Sequence, residues 1–258
     1  MRRSTLLLGC VGFALAAQAS AQDTAPPPPL KLTGSVTLVS DYRFRGLTQT
    51  DGSPAVQGTL NLNHSSGLYV GTFVSNIDGT GTTPALAGYG QTEIDLYGGY
   101  THSFHGATFD GGLLYYYYPG GLKGQNTDYF EPYASLGYTI GPIAAKVGAN
   151  YAWGGQKGLD FTAGKDDDIY VYGEASIAVP RTPVTLKGHV GHTAGSLGLD
   201  NPSLADDNYW DWSANAEAVG GPIKVGVTYV DTDITEANRF ARRLGRGSTV
   251  FGYVGVSF

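Results

Sequence analysis

The feature that most constrains this chain is a series of twelve short runs in which side chains alternate in polarity from one residue to the next. Such alternation is typical of β-strands, because successive side chains point to opposite faces of a sheet. No segment shows a convincing helical period. The predicted strands are 35–45, 55–63, 68–76, 91–101, 107–117, 128–138, 143–153, 168–179, 184–193, 209–219, 223–232 and 249–258.

The connections between these strands alternate in length. Long connections follow the odd-numbered strands, from 46–54 to 233–248, whereas tight turns follow the even-numbered ones. Long loops that alternate with short turns on an even strand count are typical of outer-membrane β-barrels, and a soluble sandwich has no reason to keep that order. The sequence therefore predicts an all-β fold, a transmembrane antiparallel up-and-down β-barrel of about 12 strands over residues 34–258.

The two faces of the predicted strands differ in charge. One face is apolar, is predicted to be free of Asp, Glu, Lys and Arg, and includes Tyr42 and Phe44 in the first strand. An Arg or Lys that faced lipid at the bilayer midplane would cost roughly 2–4 kcal/mol, so this face is predicted to meet lipid. The third strand is apolar on both faces, which leaves its register open. Parity alone fits a soluble sandwich equally well, and the loop order and the termini favour the barrel.

The opposite face collects the ionisable residues and is predicted to line an enclosed lumen. His189 is expected to point the same way. The candidate lumen-lining residues are Asp41, Arg43, Arg45, Glu93, Asp95, Asp110, Glu131, Lys146, Glu174, Lys187, Asp211, Glu217 and Lys224. Eight acids against five bases predict a weak preference for cations. Arg43 and Arg45 leave two alternatives open: a basic ladder that grips anionic solutes, or structural ion pairs with Glu93, Asp95 or other acids across the lumen.

Both ends of the chain carry targeting signals. Two arginines, an apolar run over 6–17 and the triplet Ala19-Ser20-Ala21 predict a secretory signal peptide over residues 1–21. A Pro-rich linker is predicted over 22–33. At the other end, alternation that finishes on Phe258 resembles the last strand that outer-membrane barrels present to their assembly machinery. Phe258 is therefore predicted to be the membrane-insertion signal, and outer-membrane lipid and the assembly machinery to be partners.

Composition excludes several functions. The only cysteine, Cys10, leaves with the signal, so no disulfide and no cysteine-ligated metal are expected; no cofactor or metal is predicted. Loss of Arg2 and Arg3 leaves 14 basic against 22 acidic residues, a net charge of −8. That balance argues against nucleic acid as a partner, because nucleic-acid binding needs clustered Lys and Arg.

One segment is similar to a known family. Residues 39–52 (VSDYRFRGLTQTDG), 54–58 (PAVQG) and 67–76 (GLYVGTFVSN) resemble the opening of the TorF family of proposed porins, over about the first fifth of the mature chain. The resemblance implies an outer-membrane channel and brings no catalytic residues with it.

The predicted function is passive diffusion of small hydrophilic solutes across the outer membrane. Twelve tilted strands give a backbone diameter of roughly 24 Å, of which about 10–13 Å stays free before any loop folds inward. Two alternatives remain. A structural or adhesive barrel could bind Ca²⁺ at 166–168 or 206–208, although solvated loops are favoured there. A lipase or protease barrel could use His192, Ser196 and Asp200, but no catalytic residue is predicted and an enzyme is not expected.

Overall fold

The computed structural model describes residues 29–80, 86–122, 126–159, 167–198, 208–234 and 247–258. These residues form two sets of strands. Two short strands, β2 (Arg43–Phe44) and β3 (Leu47–Thr48), pair with each other. The longer strands are β1 (Leu30–Val39), β4 (Ala55–His64), β5 (Leu68–Gly79), β6 (Gly90–Phe104), β7 (Ala107–Tyr117), β8 (Tyr129–Ile140), β9 (Ile143–Ala152), β10 (Asp168–Ala178), β11 (Val184–Gly195), β12 (Asn208–Gly220), β13 (Ile223–Thr232) and β14 (Thr249–Ser257).

The twelve longer strands form one closed antiparallel barrel. Each pairs with its neighbours along the chain, and β1 closes the ring by pairing with both β4 and β14. The predicted all-β fold of twelve strands is confirmed. Two short 3₁₀ helices, Lys157–Leu159 and Ser196–Gly198, follow strand ends. In these ranges of the chain, no helix has the length and hydropathy that a membrane crossing requires.

The first strand differs from its prediction at both ends. It begins at Leu30, and residues 30–33 pair with residues 61–64 of β4, so the predicted linker over 22–33 and the predicted barrel start at 34 are wrong for these four residues. The signal peptide and residues 22–28 lie outside the described residues and stay predictions. The same strand ends at Val39 instead of 45, because the chain leaves the wall there and turns into the lumen.

Large apolar side chains cover the outside of the barrel. Val36, Leu60 and Val227 are about half exposed or more at outward positions, whereas inward neighbours such as Thr37 and Asn61 are buried. The open register of the third predicted strand is settled, because Leu68 and Val70 are exposed and Phe73 is buried. Asp231 contradicts the prediction of a charge-free outer face. It lies beside the last residue of β13 and accepts a hydrogen bond from the Tyr229 hydroxyl (3.0 Å). In the predicted membrane orientation a strand end is where a charge costs least.

Inward tyrosines and glycines are paired across neighbouring strands. A Cβ on each of these glycines would overlap the tyrosine ring opposite it, so the missing side chain makes room for the ring. This packing gives one physical reason for the high Gly and Tyr content of the chain. The pairs are Tyr69 with Gly99, Tyr97 with Gly71, Tyr133 with Gly112, Tyr172 with Gly148, and Tyr253 with Gly226.

We expect Gly148→Ala to lower the free energy of unfolding by about 1–3 kcal/mol, the usual cost of overpacking. The new Cβ would lie 2.5 Å from the Tyr172 ring. Gly137→Ala is the matched control, since Gly137 is also an inward strand glycine but a Cβ there would meet nothing closer than 3.6 Å. Urea unfolding followed by the gel shift between folded and unfolded barrel measures both. Equal stability of the two variants would contradict this packing.

Candidate functional site

The segment after β1 forms a hairpin inside the barrel. Arg45 and Gly46 connect β2 to β3 and both have positive φ, 47° and 81°. Two-residue hairpin turns of this kind favour Asn-Gly, because a side chain at positive φ is strained unless it is small or absent. Asp41 closes the base of the hairpin, accepting hydrogen bonds from Thr48 Oγ1 at 2.6 Å and from Arg43 Nε at 2.5 Å.

The Arg45 side chain joins the tip of this hairpin to the far wall. Its Nη2 donates to Glu131 Oε1 at 2.5 Å and its Nη1 to Asp168 Oδ2 at 2.8 Å. Glu131 belongs to β8 and Asp168 to β10, the strands on either side of β9, and β9 lies six places from β1 in the ring of twelve. The hairpin therefore spans the lumen from one wall to the opposite one.

Arg45, Glu131 and Asp168 are all buried, and Glu131 is fully so. Burial alone would lower the pKa of Arg45, but Glu131 and Asp168 outweigh it and hold that pKa well above its ordinary value. The guanidinium also lies over the Tyr170 ring, 4.3 Å from its centroid. Separating a buried arginine from its two carboxylates is costly, because each group would then be a buried charge without a partner.

Aromatic side chains fill the lumen between the hairpin and strands β5–β9. Tyr42 and Phe44 pack against a buried cluster, and the Tyr42 hydroxyl donates to Glu93 Oε1 at 2.8 Å. The prediction that Tyr42 and Phe44 face lipid is wrong, because the alternation of β1 ends at Val39. The buried cluster comprises Ile77, Leu86, Tyr89, Tyr116, Tyr118, Tyr129, Ala152 and Leu159.

Beside the hairpin lies a cavity of about 500 Å³. Its wall on β9–β12 carries acids and bases on adjacent strands. Lys146 Nζ lies 2.8 Å from Glu174, and Lys187 Nζ lies 2.8 Å from Glu217. His189 stands between two carboxylates, 3.3 Å from Glu174 and 3.2 Å from Asp211. The remaining wall combines polar side chains such as Thr37 and Gln57 with aromatic ones such as Phe73 and Tyr116.

Ten of the thirteen candidate lumen residues line this cavity. The other three face inward but lie behind other groups: Glu93 behind Tyr42, Glu131 behind Arg45, and Asp110 on the Tyr69 hydroxyl at 2.6 Å. Arg43 and Arg45 form ion pairs, as one alternative held, but with Asp41, Glu131 and Asp168 instead of Glu93 or Asp95. The predicted strand 35–45 would place Asp41, Arg43 and Arg45 on the barrel wall. These residues lie instead in the inner hairpin and at its base.

Sequence reasoning missed Asp168, Tyr116 and Phe73 as lumen groups. The Arg45-Gly46 pair was only a weak signal, because it shares just its glycine with the Asn-Gly and Asp-Gly pairs that predict a two-residue hairpin.

The comparisons with known proteins place the chain in a family. The sequence profile of Gcw_chp, described as a bacterial protein of unknown function, matches residues 23–255. The chain belongs to the Gcw_chp family. Its similarity to TorF stays a resemblance of the opening segments. No curated sequence matches the chain.

Solved structures share the fold of this Gcw_chp protein at low identity. The NanC porin has 12% identity and a TM-score of 0.56, covering 88% of this chain and 99% of its own. The KdgM porin, solved in complex with disordered oligogalacturonate, has 7% identity and a TM-score of 0.53, covering 88% and 97%. An outer membrane channel from Pseudomonas putida F1 has 12% identity and a TM-score of 0.52, covering 93% and 99%. At these identities the likeness concerns the fold.

The residues weighed for catalysis in the Gcw_chp protein are not grouped as a nucleophile and its base. His192 lies on the outer face, where its ring packs on Trp210 and its Nε2 is 3.3 Å from Asn208 Oδ1. Ser196 is buried, and Asp200 lies outside the described residues.

The acidic loops weighed for calcium are also placed in part. Asp168 forms an ion pair with Arg45, and Asp167 accepts a hydrogen bond from the Tyr151 hydroxyl at 3.2 Å. Asp166, Asp206 and Asp207 lie outside the described ranges. Over those ranges, no three His, Cys, Asp or Glu side chains are grouped to hold a metal ion.

Proposed function

We propose that this protein is an outer-membrane channel through which small polar or ionic solutes diffuse passively, and that it is not an enzyme. The observation that carries the proposal is the arrangement of a closed barrel, with apolar side chains outside and charged side chains around an internal cavity inside. The reverse arrangement would suit a soluble protein. The structural neighbours, which include a porin and an outer-membrane channel, support the proposal at the level of the fold.

The hairpin sets the size of the solute. A bore of about 10–13 Å applies to twelve strands only before a loop folds inward. Here residues 41–50 enter the lumen, and Arg45 attaches this segment to the opposite wall. We therefore expect a narrow channel, restricted to solutes that fit a cavity of about 500 Å³.

The lumen charges favour cations. The predicted set holds eight acids and five bases, and Asp168 adds one more acid. Most of these charges neutralise one another in pairs. Glu93 and Asp110 accept hydrogen bonds from neutral tyrosine hydroxyls instead. Asp95 and Lys224 form no side-chain hydrogen bond or ion pair with the residues that the structure describes. The net acidic balance supports the weak cation preference.

Reversal potentials in planar bilayers test this proposal. In a salt gradient we expect discrete conductance steps with a small reversal potential of the sign for cations. Lys224→Gln should increase the preference and Asp95→Asn should decrease it, because each removes an unpaired lumen charge. Asp51→Asn, in an exposed turn, should leave it unchanged. A protein without conductance steps would contradict the channel, and strong anion selectivity would contradict the preference.

We also propose that the C-terminal strand is the contact for the barrel-assembly machinery. The Phe258 amide donates to the Gly34 carbonyl and the Gly34 amide donates to the Phe258 carbonyl, each at 3.0 Å, at the seam where the barrel closes. The Phe258 ring itself is 70% exposed and points outward. Deletion of Phe258 should reduce the amount of folded protein in the outer membrane while leaving refolding into detergent largely unchanged.

A structural barrel without transport is the second candidate, and the clamped hairpin is the observation that favours it. A barrel whose hairpin never releases would show no conductance in its native form. Arg45→Asn, which frees the hairpin, would then conduct although the native protein does not.

A further inference from the structure

Asp95 differs from the other acids of the lumen. Each of the others is held: Glu93 by Tyr42, Asp110 by Tyr69, Glu174 by Lys146, and Asp211 by His189. Asp95 is 6% exposed and lines the cavity, yet its Oδ1 has no hydrogen-bond partner among the described residues. A buried carboxylate without a hydrogen-bond partner destabilises the folded protein, so we expect a hydrogen-bond donor from outside the chain to bind it.

Aromatic side chains flank this carboxylate on both neighbouring strands. In the strand register Asp95 lies directly opposite Phe73 on β5 and Tyr116 on β7, which are also inward and buried. The hairpin adds two more rings, Tyr42 at 5.8 Å from Phe73 and Phe44 at 5.9 Å from Tyr116 between ring centroids. All four rings and Asp95 line the same cavity.

A carboxylate beside aromatic rings has a specific complement. Aromatic faces attract cations through their quadrupole, and a carboxylate accepts hydrogen bonds from N–H groups. An inorganic cation would lose its water ligands here and gain only one carboxylate ligand in their place. A primary ammonium on a short alkyl chain supplies both the donors that Asp95 lacks and apolar surface for the rings.

We propose that this end of the cavity binds a small organic cation, a primary alkylammonium, with Asp95 as its counter-ion inside the ring cage of Tyr42, Phe44, Phe73 and Tyr116. The inference rests on the channel proposed above and names the class of solute that the channel selects. The cavity, at about 500 Å³, has the volume of an ordinary small-molecule site.

The charges around the cage agree with a cationic ligand. Arg45 is a neighbouring cation, with its guanidinium 4.8 Å from the Phe44 centroid, but Glu131 and Asp168 neutralise it. Glu93 lies two residues from Asp95 on the same inward face of β6 and adds negative potential. The formal charge around the cage is therefore negative, with four acids, Glu93, Asp95, Glu131 and Asp168, against Arg45.

Isothermal titration of the detergent-solubilised full chain with n-butylammonium chloride tests the proposal, at constant ionic strength in NaCl. We expect saturable binding of n-butylammonium, and none of n-butanol or butyrate. Asp95→Asn should weaken it about tenfold or more, as for loss of a charge-assisted hydrogen bond. Phe73→Leu should weaken it about threefold through loss of one ring face. Asp110→Asn removes a lumen carboxylate outside the cavity and should leave the affinity unchanged.

Three results would overturn the site: equal binding of n-butanol, unchanged affinity of Asp95→Asn, or complete displacement of n-butylammonium by NaCl. Because Asp95→Asn removes an unpaired buried charge, it is expected to fold, and the gel shift of the folded barrel verifies this. The channel is tested separately by conductance. A barrel that binds n-butylammonium without conducting would refute the channel alone, and one that conducts without binding it would refute the site alone.

Discussion

Arg45→Asn should raise the single-channel conductance several-fold and lower the free energy of unfolding by about 3–5 kcal/mol. The loss of the guanidinium leaves Glu131 and Asp168 buried without their cation, and the hairpin loses its attachment to β8 and β10. Asparagine is chosen because it tolerates the positive φ of this position better than arginine does, so the turn itself is not strained further. Planar-bilayer conductance and urea unfolding measure the two effects.

A compensated variant separates the two effects. Adding Glu131→Gln and Asp168→Asn to Arg45→Asn removes both buried charges, so most of the lost stability should return while the hairpin stays unattached. The conductance of this triple variant should remain as high as that of Arg45→Asn. If Arg45→Asn conducts like the parent protein, the hairpin does not limit the channel. If the triple variant returns to the parental conductance, the change came from buried charge and not from release of the hairpin.

Val227→Arg should destabilise the protein in lipid by about 2–4 kcal/mol and reduce its insertion. Val227 is at the middle of β13, is 48% exposed and points outward, so an arginine there would face the hydrocarbon core. Ile223→Arg is the matched control, because Ile223 is 50% exposed on the same face but begins the strand. A charge near the interface costs about 0–1 kcal/mol. Unfolding in phospholipid vesicles compares them, and equal costs would contradict the placement of the membrane.

The strands were predictable because their signal is local. Two faces of opposite character require period-2 alternation, and the bounds 107–117 and 223–232 agree with β7 and β13. The order of long and short connections then gave the antiparallel ring. Where the pattern was weak, as over 68–76, the register followed only from the pairing of β5 with β4 and β6.

The hairpin was not predictable by the same reasoning. Residues 41–45 alternate as a strand does, and continued alternation cannot show that the chain has left the wall after Val39. The partners of Arg45 lie 86 and 123 residues away along the chain, on strands that only the closed ring brings opposite β1. Ion pairs across a lumen depend on that closure, which explains why the charges were predicted to be inside while most of their partners were not.

In the proposed channel, alternate residues of each long strand face lipid and an enclosed interior. Because the only cysteine lies in the predicted signal peptide, spin labels on single cysteines at Ser35, Val36, Thr37 and Leu38 report the faces of β1 without background. In vesicles, labels at 36 and 38 should be relaxed strongly by oxygen, which partitions into lipid. Labels at 35 and 37 should show low oxygen accessibility. Equal accessibility at all four positions, or the inverse order, would contradict the barrel's orientation and every proposal drawn from it.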